Sequence, residues 1–318
     1  MNIVIVDRGN KIPATKYGGT ERVIWGLGYE LNKMGHQITF IVPSGSSCNF
    51  GNIIIYNAEV DLEKLIPKDT DFVHMNYLPK NELSFPYLIT IHGNLTKGDI
   101  LPLNTVFISK NHAERNNSDV FVYNGLLWED YPTIDLHKKR DYLHFLGKAS
   151  WKIKNLSGAA EIAIKSKNKL KVLGGSKWKF YNFKRKPFYT LNPNISYCGQ
   201  VDNFIKMEIM QHSKGLLFPV KWDEPFGLAM IESLYAGCPV FGTNKGSLPE
   251  IINENIGYLS DDIDKIIEAV KTKKFDPIVC NRYAIENFNA KIMTENYFKL
   301  YEKILIGETL NKTAPYAS

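Results

Sequence analysis

The sequence predicts an α/β protein of two domains, each a parallel sheet covered by helices. Short apolar segments alternate with amphipathic ones along most of the chain, the pattern of strands joined by helical crossovers. Its 318 residues suit two domains of ordinary size, each able to bury its own core. The clearest unit is 215–251. Gly215 to Phe218 reads as a buried strand ending at Pro219, Leu228 to Ala236 as an amphipathic helix closed by Gly237, Pro239 to Gly242 as a second strand, and Leu248-Pro249-Glu250-Ile251 as the start of another helix.

In the first domain the strands expected are Ile3–Val6, Gln37–Val42, Ile53–Tyr56, Phe72–Met75, Leu88–His92, Val106–Ser109 and Val120–Tyr123, with a helix over Glu21–Lys33. Ligands of parallel sheets sit beyond the carboxyl ends of the strands, where Gly18, Gly19 and His92 fall. This domain is expected over 1–138, with a linker near Asp130 to Lys139, and the second over 139–281. An amphipathic helix within 282–306, roughly Tyr283 to Leu305, follows, then a tail, 307–318, expected to fray.

Composition narrows the class. No segment approaches the roughly 18 to 20 uninterrupted apolar residues needed to cross a bilayer, and Met1-Asn2-Ile3 opens directly on a strand, so a cytoplasmic location is expected, with room for peripheral association at the inner face of the membrane. Cys48, Cys198, Cys238 and Cys280 are scattered, which argues for reduced thiols and against a disulfide framework or zinc site. The net charge of +6 is uneven: residues 1–135 carry 11 basic and 15 acidic side chains, and 137–186 carry 15 and 2. A positive field over the second domain favours capture of an anion such as a diphosphate, although most of Lys165, Lys167, Lys169 and Lys171 are expected to be solvated. Trp178, Phe180, Tyr181 and Phe183 interleave with Lys177, Lys179, Lys184 and Arg185, but no nucleic-acid fold motif accompanies them. The reading of 176–190 is instead an exposed loop touching an anionic membrane or a partner, and no nucleic-acid partner is expected.

The chemistry concentrates between Glu224 and Glu232, eight positions apart, around Pro225-Phe226-Gly227 and the start of a helix. Gly227 lets a ligand approach the backbone, and the first-turn amides of Leu228, Ala229 and Met230 are expected to lack helical acceptors, which with the helix dipole favours a phosphate. A carboxylate accepts hydrogen bonds only, so Glu224 suits neighbouring sugar hydroxyls and Glu232 a ribose. Asp262-Ile263-Asp264 reads as helix-capping acids, and no metal ligand is assigned. No G-x-G-x-x-G follows the first strand, which disfavours a dinucleotide dehydrogenase.

The 218–252 stretch closely resembles the donor domain of retaining GT-B glycosyltransferases of the family-four, or glycosyl transferases group 1, type. The resemblance extends in order through Tyr17-Gly18-Gly19-Thr20-Glu21-Arg22, Ile89-Thr90-Ile91-His92-Gly93, Val122-Tyr123-Asn124-Gly125, Leu146-Gly147-Lys148, Val172-Leu173-Gly174-Gly175 and Tyr197-Cys198-Gly199-Gln200-Val201. It implies two Rossmann-like domains whose parallel sheets face across a cleft, with the C-terminal helix crossing back onto the first domain. It further implies a hexose-type transfer from a nucleotide diphosphate sugar, UDP- or GDP-linked, to a hydroxyl of a glycan, glycolipid or small molecule. Front-face substitution, without a metal or other cofactor, is the implied course. The donor is expected to touch Gly18, Gly19, Gly174, Gly199, Val201, Phe226, Gly227, Leu228, Ala229 and Glu232, and the catalytic set is His92, Lys148, Lys154 and Glu224. The family's G-R-x-x-x-x-K departs here to Lys148, and strict spacing lands on Ile153 between Lys152 and Lys154, of which Lys154 is chosen because Asn155-Leu156 resembles the next helix start. Lysine supplies charge without the bidentate fork of arginine. His74 and Asn76 are candidates for the acceptor pocket. Two rivals stay open: a GT-B nucleotide-sugar epimerase and a catalytically silent nucleotide-sugar-binding protein.

Overall fold

A computed structural model describes residues 1–14, 18–175 and 192–317. Tyr17 of the glycine motif and the aromatic-basic segment 176–190 lie outside the described residues. The chain divides into two units, described separately.

The first unit takes in residues 1–14, 18–128 and the chain from Phe288 onward. Strands β1 (Asn2–Val6), β2 (Gln37–Val42), β3 (Asn52–Ile55), β4 (Phe72–Met75), β5 (Tyr87–Ile91) and β6 (Thr105–Phe107) form a parallel sheet in the order β3-β2-β1-β4-β5-β6. Val4, Val6, Ile41, Val73, Met75 and Ile89 build one core cluster, as expected where helices hide a sheet and its strands become apolar throughout. Helix α1 (Gly19–Lys33) packs closely on β2, because a Cβ at Gly28 would fall 2.3 Å from the Phe40 ring. Short helices α2 (Leu62–Leu65) and α3 (Lys110–Glu114) complete the connections.

The second unit spans 129–287. Its strands are β7 (Tyr142–Leu146), β8 (Lys169–Leu173), β9 (Ile195–Gly199), β10 (Ser213–Phe218), β11 (Val240–Gly242) and β12 (Gly257–Leu259), in the parallel order β12-β11-β10-β7-β8-β9. Its described helices are α4 (Leu156–Lys165), α5 (Asn203–Met210), α6 (Leu228–Tyr235), α7 (Leu248–Ile251), α8 (Ile263–Thr272) and α9 (Pro277–Asn287). The Asp262 side chain caps α8 by accepting from Asp264 N at 2.9 Å, the role its sequence suggests.

Several expectations need correction. Val120–Tyr123 is no strand: only a bridge from Phe107 to Phe121 forms. The expected final helix is two, α9 and α10 (Ala290–Leu305), because the Asn289 side chain accepts from Ile292 N at 2.8 Å and so caps a new helix. Residues 129–141 belong to the second unit rather than to a linker, with Arg140 donating to the carbonyls of Ser213 at 2.7 Å and Ala236 at 3.1 Å. The boundaries thus fall after Trp128 and Asn287 rather than after 138 and 281. The tail is tied down: Asn311 Nδ2 donates to the carbonyls of Leu103 at 2.7 Å and Thr105 at 2.8 Å, satisfying groups beside the edge strand β6. His74 lines no acceptor pocket either. It is buried on β4, its Nδ1 2.6 Å from the Tyr301 hydroxyl and its Nε2 2.9 Å from Thr90 Oγ1, with the Tyr297 ring against it.

Three buried histidines set an acid limit on this fold. Burial lowers His74, His112 and His144 each to about 3, so the rings stay neutral when folded and take up protons when unfolded below their ordinary 6.5. Stability is therefore complete above about 6.5 and falls as the pH drops from there toward 3. Asp7, raised to about 6 mainly by burial, opposes the trend, but His92, lowered to about 4 by burial, adds to it. The melting temperature is expected to be lower at pH 5 than at pH 7 in a scan at constant ionic strength. An unchanged value would show that the rings are protonated in the fold.

Candidate functional site

In the second unit the strand order reverses between β7 and β10, so the loops leaving their carboxyl ends diverge and open a crevice. Lys148 and Lys154 follow β7, and Glu224 follows β10. Glu224 is buried, with Lys154 Nζ donating to its two oxygens at 2.8 and 2.6 Å and Trp222 Nε1 donating to Oε2 at 2.7 Å. The ammonium also lies 5.0 Å from the Trp222 ring centroid and 5.4 Å from that of Phe218, where aromatic faces favour a cation.

Local backbone bonding puts Lys154 there. The turn Lys152–Lys154 ends at Asn155, which adopts a left-handed conformation (φ 54°), accepts from Gly158 N to cap α4, and donates from Nδ2 to Pro219 O at 2.8 Å. Lys221 N donates to Ile153 O at 2.8 Å, so the two loops are stitched together. Lys148 is exposed, its Nζ 4.7 Å from the Trp151 ring centroid.

The Glu224 loop is fixed from a third side. Ser247 N donates to Glu224 O at 2.9 Å and Ser247 Oγ to Phe226 O at 2.7 Å. Gly246 has φ +60°, and a Cβ on it would lie 2.2 Å from Glu224 N. Gly227 (φ 86°) then turns the chain into α6, whose half-buried Leu228 and Ala229 begin the first turn. Phe226 corrects an expectation: its ring is core, so it holds the loop and offers no side chain to a donor. Glycines also shape the adjoining edge. A Cβ at Gly174 would meet Gly147 O at 2.3 Å, and Gly174 N donates to Gly199 O at 2.7 Å. Half-buried Val201 precedes Asp202, the cap of α5.

Glu232 lies on α6 with Oε1 accepting from the Tyr131 hydroxyl at 2.7 Å and from Lys206 Nζ, all three residues buried. A ribose at Glu232 would share the carboxylate with them. Tyr131, Lys206 and Trp222 were not among the expected site residues. Trp222 lies two positions before Glu224 and was open to detection, whereas Lys206 and Tyr131 reach Glu232 only through the tertiary fold.

In the first unit the order reverses between β1 and β4. Gly18 precedes α1, where a Cβ would lie 2.9 Å from Glu21 Oε2, and Gly19 opens the helix. Glu21 is buried and accepts from Asn10 N at 3.0 Å and Asn10 Nδ2 at 2.6 Å. Asp7, at the end of β1, is buried as well, and a Cβ added at Gly9 would touch both carboxylates, 2.9 Å from Asp7 Oδ2 and 3.1 Å from Glu21 Oε1. Neither acid was expected as a site residue, although Asp7 directly follows its strand. His92 follows β5, and its Nε2 lies 2.9 Å from Asn76 Oδ1. Burial lowers its pKa to about 4. Among the described residues no three His, Cys, Asp or Glu side chains gather as a metal-binding group.

The switch point of the second sheet thus carries the buried Lys154–Glu224 pair, the exposed Lys148 and the glycine-capped start of α6. Residues 128–285 match the family of glycosyl transferases group 1. An uncharacterized 41.2 kDa protein in the cps region of Klebsiella pneumoniae is 30% identical over 117 residues, 34% of this chain and 32% of that protein, so the match takes in about a third of the relative's length. Among solved structures, AviGT4, a glycosyltransferase involved in avilamycin A biosynthesis, superposes with a TM-score of 0.78 at 20% identity, covering 98% of this chain and 99% of that one. Anabaena HepE in complex with UDP and glucose gives 0.65 at 12% identity, covering 95% and 100%. Two parallel six-stranded sheets in this order are the architecture of the GT-B glycosyltransferases.

The buried Lys154–Glu224 pair is testable through stability. Removing one partner leaves the other charge in a desolvated site, so Lys154→Met is expected to cost roughly 3 to 5 kcal/mol. Adding Glu224→Gln should recover part of that loss in urea unfolding, and additive losses would show that the two do not act as a pair.

Proposed function

We propose that this group 1 glycosyltransferase moves a hexose-type sugar from a nucleotide diphosphate sugar to an acceptor hydroxyl with retention of configuration. The observation that carries the reading is the Lys154–Glu224 pair beside the glycine-capped start of α6. Three requirements of the reaction meet there: an acceptor-only group for sugar hydroxyls, a cation for the departing diphosphate, and a helix start for a phosphate, where Met230 N already bonds to Gly227 O at 2.8 Å and Leu228 and Ala229 are left as the candidate donors. When the donor enters, its diphosphate competes for Lys154 and draws on the exposed Lys148, and Glu224 turns to the sugar. Lys148 and Lys154 then stabilise charge building on the leaving phosphate, without need of a divalent ion. His92 receives a hydroxyl of the transferred sugar, and Glu232 contacts the ribose. A leaving phosphate oxygen takes the acceptor proton on the same face, because no second carboxylate is assigned as a nucleophile for double displacement.

UDP- and GDP-sugars are the favoured donors, with UDP supported by the HepE complex. The cps-region setting of the Klebsiella relative supports a cell-surface glycan or its lipid-linked precursor as acceptor, handled at the inner face of the membrane. A nucleotide-sugar epimerase would need no acceptor, and product analysis separates the two.

Calorimetric titration with UDP, GDP, ADP and their sugar conjugates, with and without EDTA, tests the reading. Saturable binding of one nucleotide diphosphate that chelation leaves unchanged is expected. Glu224→Ala should abolish transfer while nucleotide diphosphate affinity largely persists, and Glu232→Gln should mainly weaken nucleotide affinity. No binding by any of these nucleotides would remove the transferase assignment.

A further inference from the structure

We propose that Asn76 is a positioning residue that holds His92 as its Nε2–H tautomer, leaving Nδ1 as a hydrogen-bond acceptor for a substrate hydroxyl. The part concerning substrate rests on the transferase reading, whereas the tautomer rests on the first unit alone.

Asn76 follows β4 beside the end of β1, and its backbone N–H donates to Val6 O at 3.0 Å. Its side-chain Nδ2 donates to the same carbonyl at 3.2 Å. A carbonyl only accepts, so this contact fixes which end of the amide faces Val6, and the reversed amide would set two oxygens against each other. Oδ1 is thereby turned to His92 Nε2, 2.9 Å away. An oxygen there requires a proton on Nε2, and the other ring nitrogen of a neutral imidazole then carries the lone pair.

The ring is neutral under ordinary conditions, because burial lowers His92 to about 4 and the neighbouring His74 and His112 are themselves held near 3. Those neighbours are otherwise engaged, His112 Nε2 with Gly93 O at 3.1 Å and His74 with Tyr301 and Thr90. His92 Nδ1 has no hydrogen-bond partner among the described residues, and the ring is partly exposed. A Cβ added at the neighbouring Gly93 would meet nothing within 4 Å, so the chain is not crowded just after His92. A neutral nitrogen lone pair attracts a donor and repels a phosphate or carboxylate oxygen, so the group received is a hydroxyl. Asn76 thus acts through His92 and does not itself line an acceptor pocket.

Long-range proton–nitrogen correlation spectra of the full chain with labelled histidine, His92 being assigned by its absence from His92→Gln, read the tautomer directly. At pH 7 the expected spectrum has a protonated, slowly exchanging Nε2 and an unprotonated Nδ1. Asn76→Asp, which keeps an acceptor, should retain that Nε2 proton and raise the His92 pKa; Asn76→Leu should lose it. A protonated Nδ1 or a cationic ring in the unaltered protein would overturn the proposal whatever the activity. Kinetics test the second part. Asn76→Leu is expected to lower kcat/KM for the donor about 10- to 100-fold, as for a lost buried hydrogen bond, and His92→Gln/Asn76→Leu should be no slower than His92→Gln alone. Additive losses would mean that Asn76 acts on structure and not through His92. If the tautomer is as expected but His92→Gln transfers sugar at an unaltered rate, the hydroxyl-acceptor role falls while the hold of Asn76 on the ring stands.

Discussion

Everything chemical in this chain depends on one topological constraint, the reversal of strand order beside the first strand of each sheet. A chain that winds β1-β2-β3 one way and then returns to place β4 on the other side of β1 must send the loops after β1 and β4 apart. The second sheet repeats this with β7 and β10. Asp7 and Asn76 occupy the first of these openings, and Lys148, Lys154 and Glu224 the second. The openings stay in place because backbone groups close them from the sides. Asn76 is bonded to the β1 carbonyl of Val6, and Asn155 and Lys221 bond reciprocally between the β7 and β10 loops.

Within that frame, burial decides how strongly each group acts. Glu224 and Lys154 are both largely removed from water, so each carries a desolvation cost that the other offsets, together with the indole N–H of Trp222. Such a pair adds little net stability, but its dipoles are already oriented when a ligand arrives. Gly246 and Gly227 matter for the same reason. Any side chain at Gly246 would meet the backbone of Glu224, and Gly227 alone among the loop residues turns at positive φ into α6.

Much of this was legible in the sequence. Six of the seven strands expected in the first domain are present, since buried parallel strands announce themselves as apolar runs. The α6 boundaries were readable from Gly227 and Gly237, and Lys154 stands at Glu224 where the helix start at Asn155-Leu156 suggested. What escaped were features that periodicity does not carry. The α9–α10 break lies within an amphipathic pattern that continues through Phe288, and only the Asn289 cap betrays it. The tail has no periodic signal because Asn311 bonds to edge carbonyls distant in sequence. His74 and Asn76 sit two residues apart and would share a strand face, yet His74 lies within β4 under Tyr297 and Tyr301 while Asn76, past the strand end, reaches His92. Lys206 finds Glu232 through packing alone.

The charge asymmetry in the sequence has a local counterpart in each unit. The crevice edge of the second gathers lysines, glycine amides and a helix start, all attractive to phosphate. The corresponding edge of the first presents Asp7 and Glu21 as buried carboxylic groups and His92 as a neutral ring. Arg8 is nearby, but its guanidinium is laid over the Tyr77 ring, 4.4 Å from the centroid. These acceptors suit hydroxyls, which can donate to each of them. One strand order, used twice, thus presents two different sets of side chains at the strand ends. The difference comes from the residues placed in the first turn after each strand, and the sheets that carry them are alike.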